Sequence, residues 1–429
     1  MPVPDAPAAL GRTPPVALDV PAIQRRTIGV LSSYQALAGI AVAGAVPAGA
    51  LLAAGIAGND AAAGLAQTAG VTGAALAALP LARLTLSGGR RRALSVGVGL
   101  GAIGSVLVVV AAVSRVLPLV YLGCLLVGCA TAAGYQARYA AADLAPVDRR
   151  ARALSIVVWA STVGAVLGPN LLEASGRLAI DLGLPQLSGP YVVAAFCFVV
   201  SFGVLALLLR PDPYLVARRL AIAAGEATAG VDARLRDGIA HVRAHRRAQL
   251  GIAAVALGHA VMVMVMVMTP VHMRHVDVRL QLIGLVISVH VAGMYALSPV
   301  VGWAADRFGR LPVIGAGVAI LAASCVVAAR APADDVVMLG VALFLLGLGW
   351  SCTLIGGSTL LVEDVDATDR PAVQGASDLV MNIAGAVGGA FAGIVVAVWS
   401  YAALCAMALV PVAAIAVLMV VLTRGSRRA

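Results

Sequence analysis

Twelve apolar stretches, each about as long as a bilayer's hydrocarbon core is thick, leave this chain few folds to choose from. A helix needs roughly 20 apolar residues to cross about 30 Å of hydrocarbon. Such stretches run near 28–56, 61–82, 93–113, 117–142, 153–173, 190–210, 249–273, 281–304, 311–331, 336–362, 372–398 and 402–423. Hydrophobic residues fill 61% of the 429 positions and charged residues 12%, too little polar surface for a water-soluble protein of this size. Inside lipid every backbone donor must be satisfied by its own segment, which leaves the helix as the spanning element. Gly and Pro scattered through the spans fit this, because neighbouring helices in a bundle absorb them. The expected class is an all-α polytopic membrane protein with 12 transmembrane helices.

The chain also says nearly the same thing twice, about 220 residues apart. Arg25-Arg26 and Arg246-Arg247 each lead into an apolar run. Gly88-Gly89-Arg90 in one basic loop answers Phe308-Gly309-Arg310 in another. Asp148-Arg149 precedes a helix carrying Gly164-x-x-x-Gly168, and Asp369-Arg370 precedes one carrying Gly385-x-x-x-Gly389. Two matching hydrophobic halves point to a transporter that rocks one against the other around a shared site.

The net charge of +10 is topological rather than a nucleic-acid footprint. All 30 basic residues are arginine, and on the twelve-span reading all but Arg115, Arg177, Arg274, Arg279 and Arg330 fall on one face. That asymmetry places both termini and the central loop in the cytoplasm, with the arginines also near anionic lipid. Arginine without lysine and abundant alanine point to a high-GC bacterial genome, hence the cell inner membrane.

Residues 1–24, rich in Pro and Ala, are expected to be a disordered cytoplasmic N-terminus. They do not read as a cleaved signal, since the apolar stretch after Arg26 is too long and pairs with the seventh span. Residues 25–210 and 248–423 form the two six-helix bundles, and 424–429 a cytoplasmic tail. In the 211–247 linker, Val231, Leu235, Ile239 and Val242 make a stripe at helical spacing, either an amphipathic surface helix or a solvated one. Six cysteines, all within spans and without metal spacing, read as small buried hydrophobes.

Between spans eight and nine stands Gly302-Trp303-Ala304-Ala305-Asp306-Arg307-Phe308-Gly309-Arg310. Here the chain resembles the major facilitator superfamily, whose signature loop reads G-x-x-x-D-R-x-G-R. The glycines permit a tight turn, and the aspartate suits a helix N-terminus. The resemblance implies the family's fold of two pseudo-symmetric six-helix bundles, with Asp306 against the start of span five, near Arg149 to Ser155, latching that face shut. The first-half loop has Leu86 where the second has Asp306, so only one copy carries the acid. Span five holds Gly164-Ala165-Val166-Leu167-Gly168-Pro169, similar to the G-x-x-x-G-P of the drug-antiporter branch, though Asn170-Leu171-Leu172-Glu173 replaces the expected later glycines. Small residues four apart allow close helix packing, and proline bends the helix; such a helix suits the interface between halves. Span four departs further: Cys124 and Val127 occupy the family's arginine and glutamine positions, so that pair cannot couple an ion here.

Ionisable groups inside a membrane cost about 2.5–3.5 kcal/mol each at the bilayer centre on insertion scales and default to functional candidates. His259 and His290 lie near mid-membrane in spans seven and eight. Each could carry a proton or bond a substrate, or could simply bond a backbone carbonyl between helices. Asp378, in span eleven, could be a protonation site or a partner for Arg138. Glu173 and Asp143 sit near span ends and read as interface residues. The Val-Met alternation at 261–268 reads as helix, its methionines either cavity wall or packing.

In the family, spans one, four, seven and ten line the cavity. That carries over to Tyr34 and Gln35, Tyr135 and Gln136, His259, and Trp350, with Asn170 and Asn382 on flanking spans. So apolar a lining suits a small amphipathic solute. Nothing has metal spacing, a nucleophile elbow or a phosphate loop, so no enzymatic activity, cofactor or metal is expected. The expected function is secondary transport by a monomer, as proton-coupled efflux of a small-molecule substrate. Import of a metabolite, or a non-transporting sensor on the same fold, stand as alternatives.

Overall fold

The computed structural model describes residues 19–424 apart from 60, 226–239, 241, 275–277, 364, 367 and 368. Helix α1 (Val20–Ala57) opens on Asp19, whose carboxylate accepts the Ala22 N–H at 3.0 Å, and closes on Gly58 at φ 70°. It thus begins at Val20, inside the 1–24 segment expected to be disordered; residues 1–18 lie outside the described residues. The cap and Pro21 at the first turn start the helix eight residues before its apolar run.

Helix α2 (Ala61–Ser114) is broken in its helical dihedrals at Gly89, with φ 85° and ψ 172°. At 1.5 Å per residue its 54 residues would stretch about 80 Å if straight, far beyond one bilayer. The corner at Gly89 makes it two crossings. Then follow α3 (Leu117–Ala140), α4 (Arg150–Asn170), short α5 (Leu172–Asp181), α6 (Gly189–Leu208) and α7 (Pro213–Ala223). The second half comprises α8 (Arg246–Arg274), α9 (Leu280–Tyr295), α10 (Ser298–Phe308), α11 (Arg310–Arg330), α12 (Val336–Glu363), α13 (Arg370–Val398), α14 (Tyr401–Met407) and α15 (Leu409–Arg424).

Among the described residues eleven helical segments are long and apolar enough to cross a membrane. With α2 counted twice, the crossings number twelve. The eighth is interrupted between α9 and α10, and the twelfth at Ala408. The linker begins as helix α7, capped by Asp212. Val231, Leu235 and Ile239 of the expected amphipathic stripe lie outside the described residues.

Each half has its own buried core, one built on Leu31, Leu94, Val108 and Phe198, the other on Val261, Leu321, Leu343 and Val395. Close helix packing rests on small residues. A Cβ at Gly73 or Gly128 would overlap the facing backbone of α3 or α2, and one at Gly347 the backbone of α9. Gly164 and Gly168 face Gly39, Ala43 and Gly44 of α1, so they join two helices of the same half. The seam between halves is met by an adjoining side of α4, nearer its start, where Leu154 and Val158 pack in one cluster with Val301 and Ile355. The correction has a plain cause: residues four apart share one face, and on α4 that face belongs to α1. Gly385 and Gly388 repeat the arrangement on α8, facing His259 and Ala260.

A gated cavity between two bundles

The loops carrying Arg90–Arg92, Arg149–Arg152 and Arg307–Arg310 share one face of the bundle, the basic face. At each of two corners on this face the chain turns on a glycine with positive φ, Gly89 at 85° and Gly309 at 96°. The next residue in each case is an arginine. Arg90 donates from Nε and Nη2 to Asp143 at 2.8 and 3.1 Å, and from Nη2 across the seam to Gln374 Oε1 at 2.5 Å. Arg310 lies 2.6 Å from Glu363 and donates across the seam to the Val147 carbonyl at 2.6 Å. Asp143 and Glu363 are themselves one repeat apart, so the same arginine–acid pair is built twice. Arg90 is fully buried and Asp143 nearly so. Neither faces lipid or solvent, contrary to the sequence reading of Asp143 as an interface residue.

Asp306 accepts the N–H groups of Ala151 and Arg152 at 3.2 and 2.8 Å, at the first turn of α4. A carboxylate there satisfies two donors that the helix cannot bond internally and lies at the positive end of its dipole. Gly302, one turn earlier, leaves no room for a side chain beside Ser155. At the other corner Leu86 packs with Tyr214 and Ala372. Arg307 is exposed, and Pro169 lies in the last turn of α4.

Deeper along the seam, Arg138 Nη2 donates to Asp378 Oδ1 at 2.6 Å. Asp378 is fully buried and Arg138 is 3% exposed. This ion pair joins the two halves, whereas the pairs made by Arg90, Arg149, Arg177 and Arg310 each lie within one half. Asp378 Oδ2 and Arg138 Nε have no partner. The Arg138 guanidinium lies over the rings of Tyr135 and Tyr139, 5.6 and 4.6 Å from their centroids. The repeat equivalents of these two charges are Ser358 and Val157, so the pair exists once.

Beyond this pair, away from the basic face, adjoining cavities open between the halves. One of about 220 Å³ is lined by Tyr135 and Asn382 together with Val42, Val127, Cys124 and Gln67. A second of about 190 Å³ is bounded by Gln35, Ser161, Tyr135 and Tyr295. At its base Gln35, Tyr295, Trp350 and Arg138 close around a small void. The walls are apolar, and the polar groups are amides and hydroxyls. The floor is aromatic, Tyr295 meeting Trp350 edge-on at 5.8 Å.

The residues singled out from sequence divide accordingly. Gln35, Tyr135, Trp350 and Asn382 line the cavity, and Gln35 Nε2 donates to Ser161 at 2.9 Å. Tyr34 is fully buried beside the cavity wall. Gln136 turns away, donating to the Ala78 carbonyl of α2 at 3.0 Å; one residue past Tyr135 it points about 100° around the helix. Asn170 is exposed and bonds its own helix at Val166. His259 stands behind Trp350, whose indole N–H donates to its Nδ1 at 3.2 Å. His290 Nδ1 bonds the Leu343 carbonyl at 2.8 Å, and since a carbonyl only accepts, that nitrogen bears the proton. Glu173 pairs with Arg177 in the open, 3.4 Å apart. Sequence reasoning missed Arg90, Gln374, Glu363, Tyr295 and Ser161. The Arg90/Arg310 and Asp143/Glu363 correspondence was there to find.

The sequence profile of the Major Facilitator Superfamily matches residues 31–279 and 250–429. The chain is 40% identical over 383 residues to an uncharacterized MFS-type transporter, YdeG, of Bacillus subtilis strain 168, covering 89% of this chain and 88% of that protein. It is 27% identical to the riboflavin transporter RfnT of Brucella anthropi, covering 86% and 88%. Its fold matches the crystal structure of a bacterial homologue of the iron transporter ferroportin in an outward-facing state, with a TM-score of 0.69, 14% identity, and 93% and 99% of the two chains covered. The chain is a transporter of the Major Facilitator Superfamily and not an enzyme.

Proposed function

We propose that this transporter exchanges protons for a small amphipathic solute, expelling the solute from a bacterial cell. The observation that carries this reading is the buried Arg138–Asp378 pair, an ion pair between the halves that lies under an apolar cavity. The arginine excess makes the basic face cytoplasmic, so the cavity described above looks outward while the cytoplasmic side is closed. Separating a buried pair leaves two uncompensated charges, a cost of about 3–5 kcal/mol. A proton on the open Oδ2 of Asp378 removes one of those charges and lets the halves part. Opening then delivers the proton to the cytoplasm, and closure again needs the carboxylate free. The solute travels outward on that return stroke, held by apolar walls and by Gln35, Ser161 and Asn382. One chain suffices, because the path lies between its own halves.

The decisive experiment reconstitutes the protein in liposomes with an imposed pH gradient and follows amphipathic dyes in both directions. Wild-type protein should move dye against the proton flux. Asp378→Asn, with an unchanged melting midpoint, should still exchange dye passively but ignore the gradient. Gradient-driven movement that survives in Asp378→Asn would remove the pair from the mechanism. Import is the second reading, favoured by a relative named as a riboflavin transporter and by the aromatic floor, which suits a planar ring. Dye or flavin carried inward with protons would establish it.

A further inference from the structure

On the basic face, outside the solute path, the first turns of α1 and α4 leave a groove of about 540 Å³. Its mouth holds Arg25, Arg149 and Arg152, and its lining contains no acid. Arg149 makes an exposed 3.7 Å pairing with Asp148, and Asp306 accepts the backbone N–H of Arg152 at 2.8 Å. One turn deeper lie Ile28 and Ile156, about 5 Å further along their helices at 1.5 Å per residue. The groove is therefore cationic where the helices enter the membrane and apolar where they meet hydrocarbon. Between these zones stands Gln24, 9% exposed, its Nε2 donating to the Ala141 carbonyl at 2.6 Å and its Oε1 without a partner.

We propose that this groove binds an anionic glycerophospholipid with a hydroxylated headgroup, of the phosphatidylglycerol type. Three guanidiniums supply charge-assisted donors for a phosphodiester. The orphaned Gln24 Oε1 requires a donor, which a headgroup hydroxyl provides and a bare phosphate ester does not. An ammonium headgroup would also donate, but three neighbouring arginines repel it. An acyl chain follows Ile28 and Ile156 into the bilayer. The Arg152 whose side chain meets the lipid also gives its backbone N–H to Asp306, so the occupant rests on the turn that closes the seam.

The test is native mass spectrometry of the full-length protein released from mixed vesicles of phosphatidylglycerol, phosphatidylethanolamine, phosphatidylcholine and phosphatidic acid. Wild-type protein should retain phosphatidylglycerol at least tenfold over phosphatidylcholine. The combined Arg25→Gln, Arg149→Gln and Arg152→Gln variant, matched in melting midpoint, should lose that preference. Gln24→Leu should erase the preference for phosphatidylglycerol over phosphatidic acid while keeping that of both over phosphatidylcholine. Equal retention of all four lipids by wild type would overturn the site. So would displacement by millimolar glycerol phosphate, which would make this a pocket for a soluble anion.

Discussion

At one corner of the basic face Asp306 receives two amide N–H groups from the start of α4; at its repeat-related counterpart Leu86 packs against Ala372 at the start of α13. Ala151 and Ala372 are themselves repeat equivalents. The same backbone juncture is thus closed once by a directed, charged contact and once by an undirected apolar one. The arginines differ as well. The pair of Arg90 with Asp143 has side chains 1% and 3% exposed, whereas that of Arg310 with Glu363 has 9% and 16%. One corner is dry and the other borders water, so equal sequence motifs carry unequal energies.

The largest expected effect follows from that burial. Arg90→Ala strands Asp143 without its partner and should cost about 3–5 kcal/mol. Arg310→Ala, nearer solvent, should cost about 1–3 kcal/mol. Melting midpoints in detergent compare them directly, and equal losses would erase the distinction between a dry and a wet corner. Next comes Asp306→Leu, which gives the polar corner the chemistry of its counterpart. Losing hydrogen bonds to a charged acceptor should cost the closed state about 1.5–3 kcal/mol, read as a longer distance between spin labels across the basic face. Unchanged label distances would mean that apolar packing alone keeps that face shut. Smallest is Gly309→Ala, whose backbone strain at positive φ amounts to about 1–2 kcal/mol of stability. Gly89→Ala should cost more, because its new Cβ would collide with the Asp212 carboxylate, whereas at Gly309 the nearest atom is Pro312 Cδ at 3.7 Å. The order of the two melting midpoints sharpens the comparison.

The spans were legible because lipid imposes a length of apolar chain that few other constraints can mimic. Both corners could be read too, since Gly-Arg recurs at a constant offset. What could not be read was orientation around a helix. Tyr135 and Gln136 are adjacent in sequence, yet one faces the cavity and the other the α2 backbone. The Gly164/Gly168 stripe announced close packing without naming its partner, which proved to be α1. Arg90 reads as one more positive charge in a loop, because its acceptor Gln374 lies 284 residues away. His259 occupies the repeat position of Gly39, and Gly385 is where its ring finds space; no local pattern announces that.

The arginine–acid pairs at the corners each lie within a single half, and what they offer across the divide is a bond to an amide oxygen or a carbonyl. Across the divide Asp306 likewise grips peptide N–H groups, while its cationic neighbour Arg310, 3.3 Å away, belongs to its own half. When the bundles swing apart, these ions keep their own counter-ions and only dipoles are relinquished, to be replaced at once by water. A seam so wired is electrically quiet at its rim and sets its buried cross-half charges, Arg138 and Asp378, deeper between the bundles.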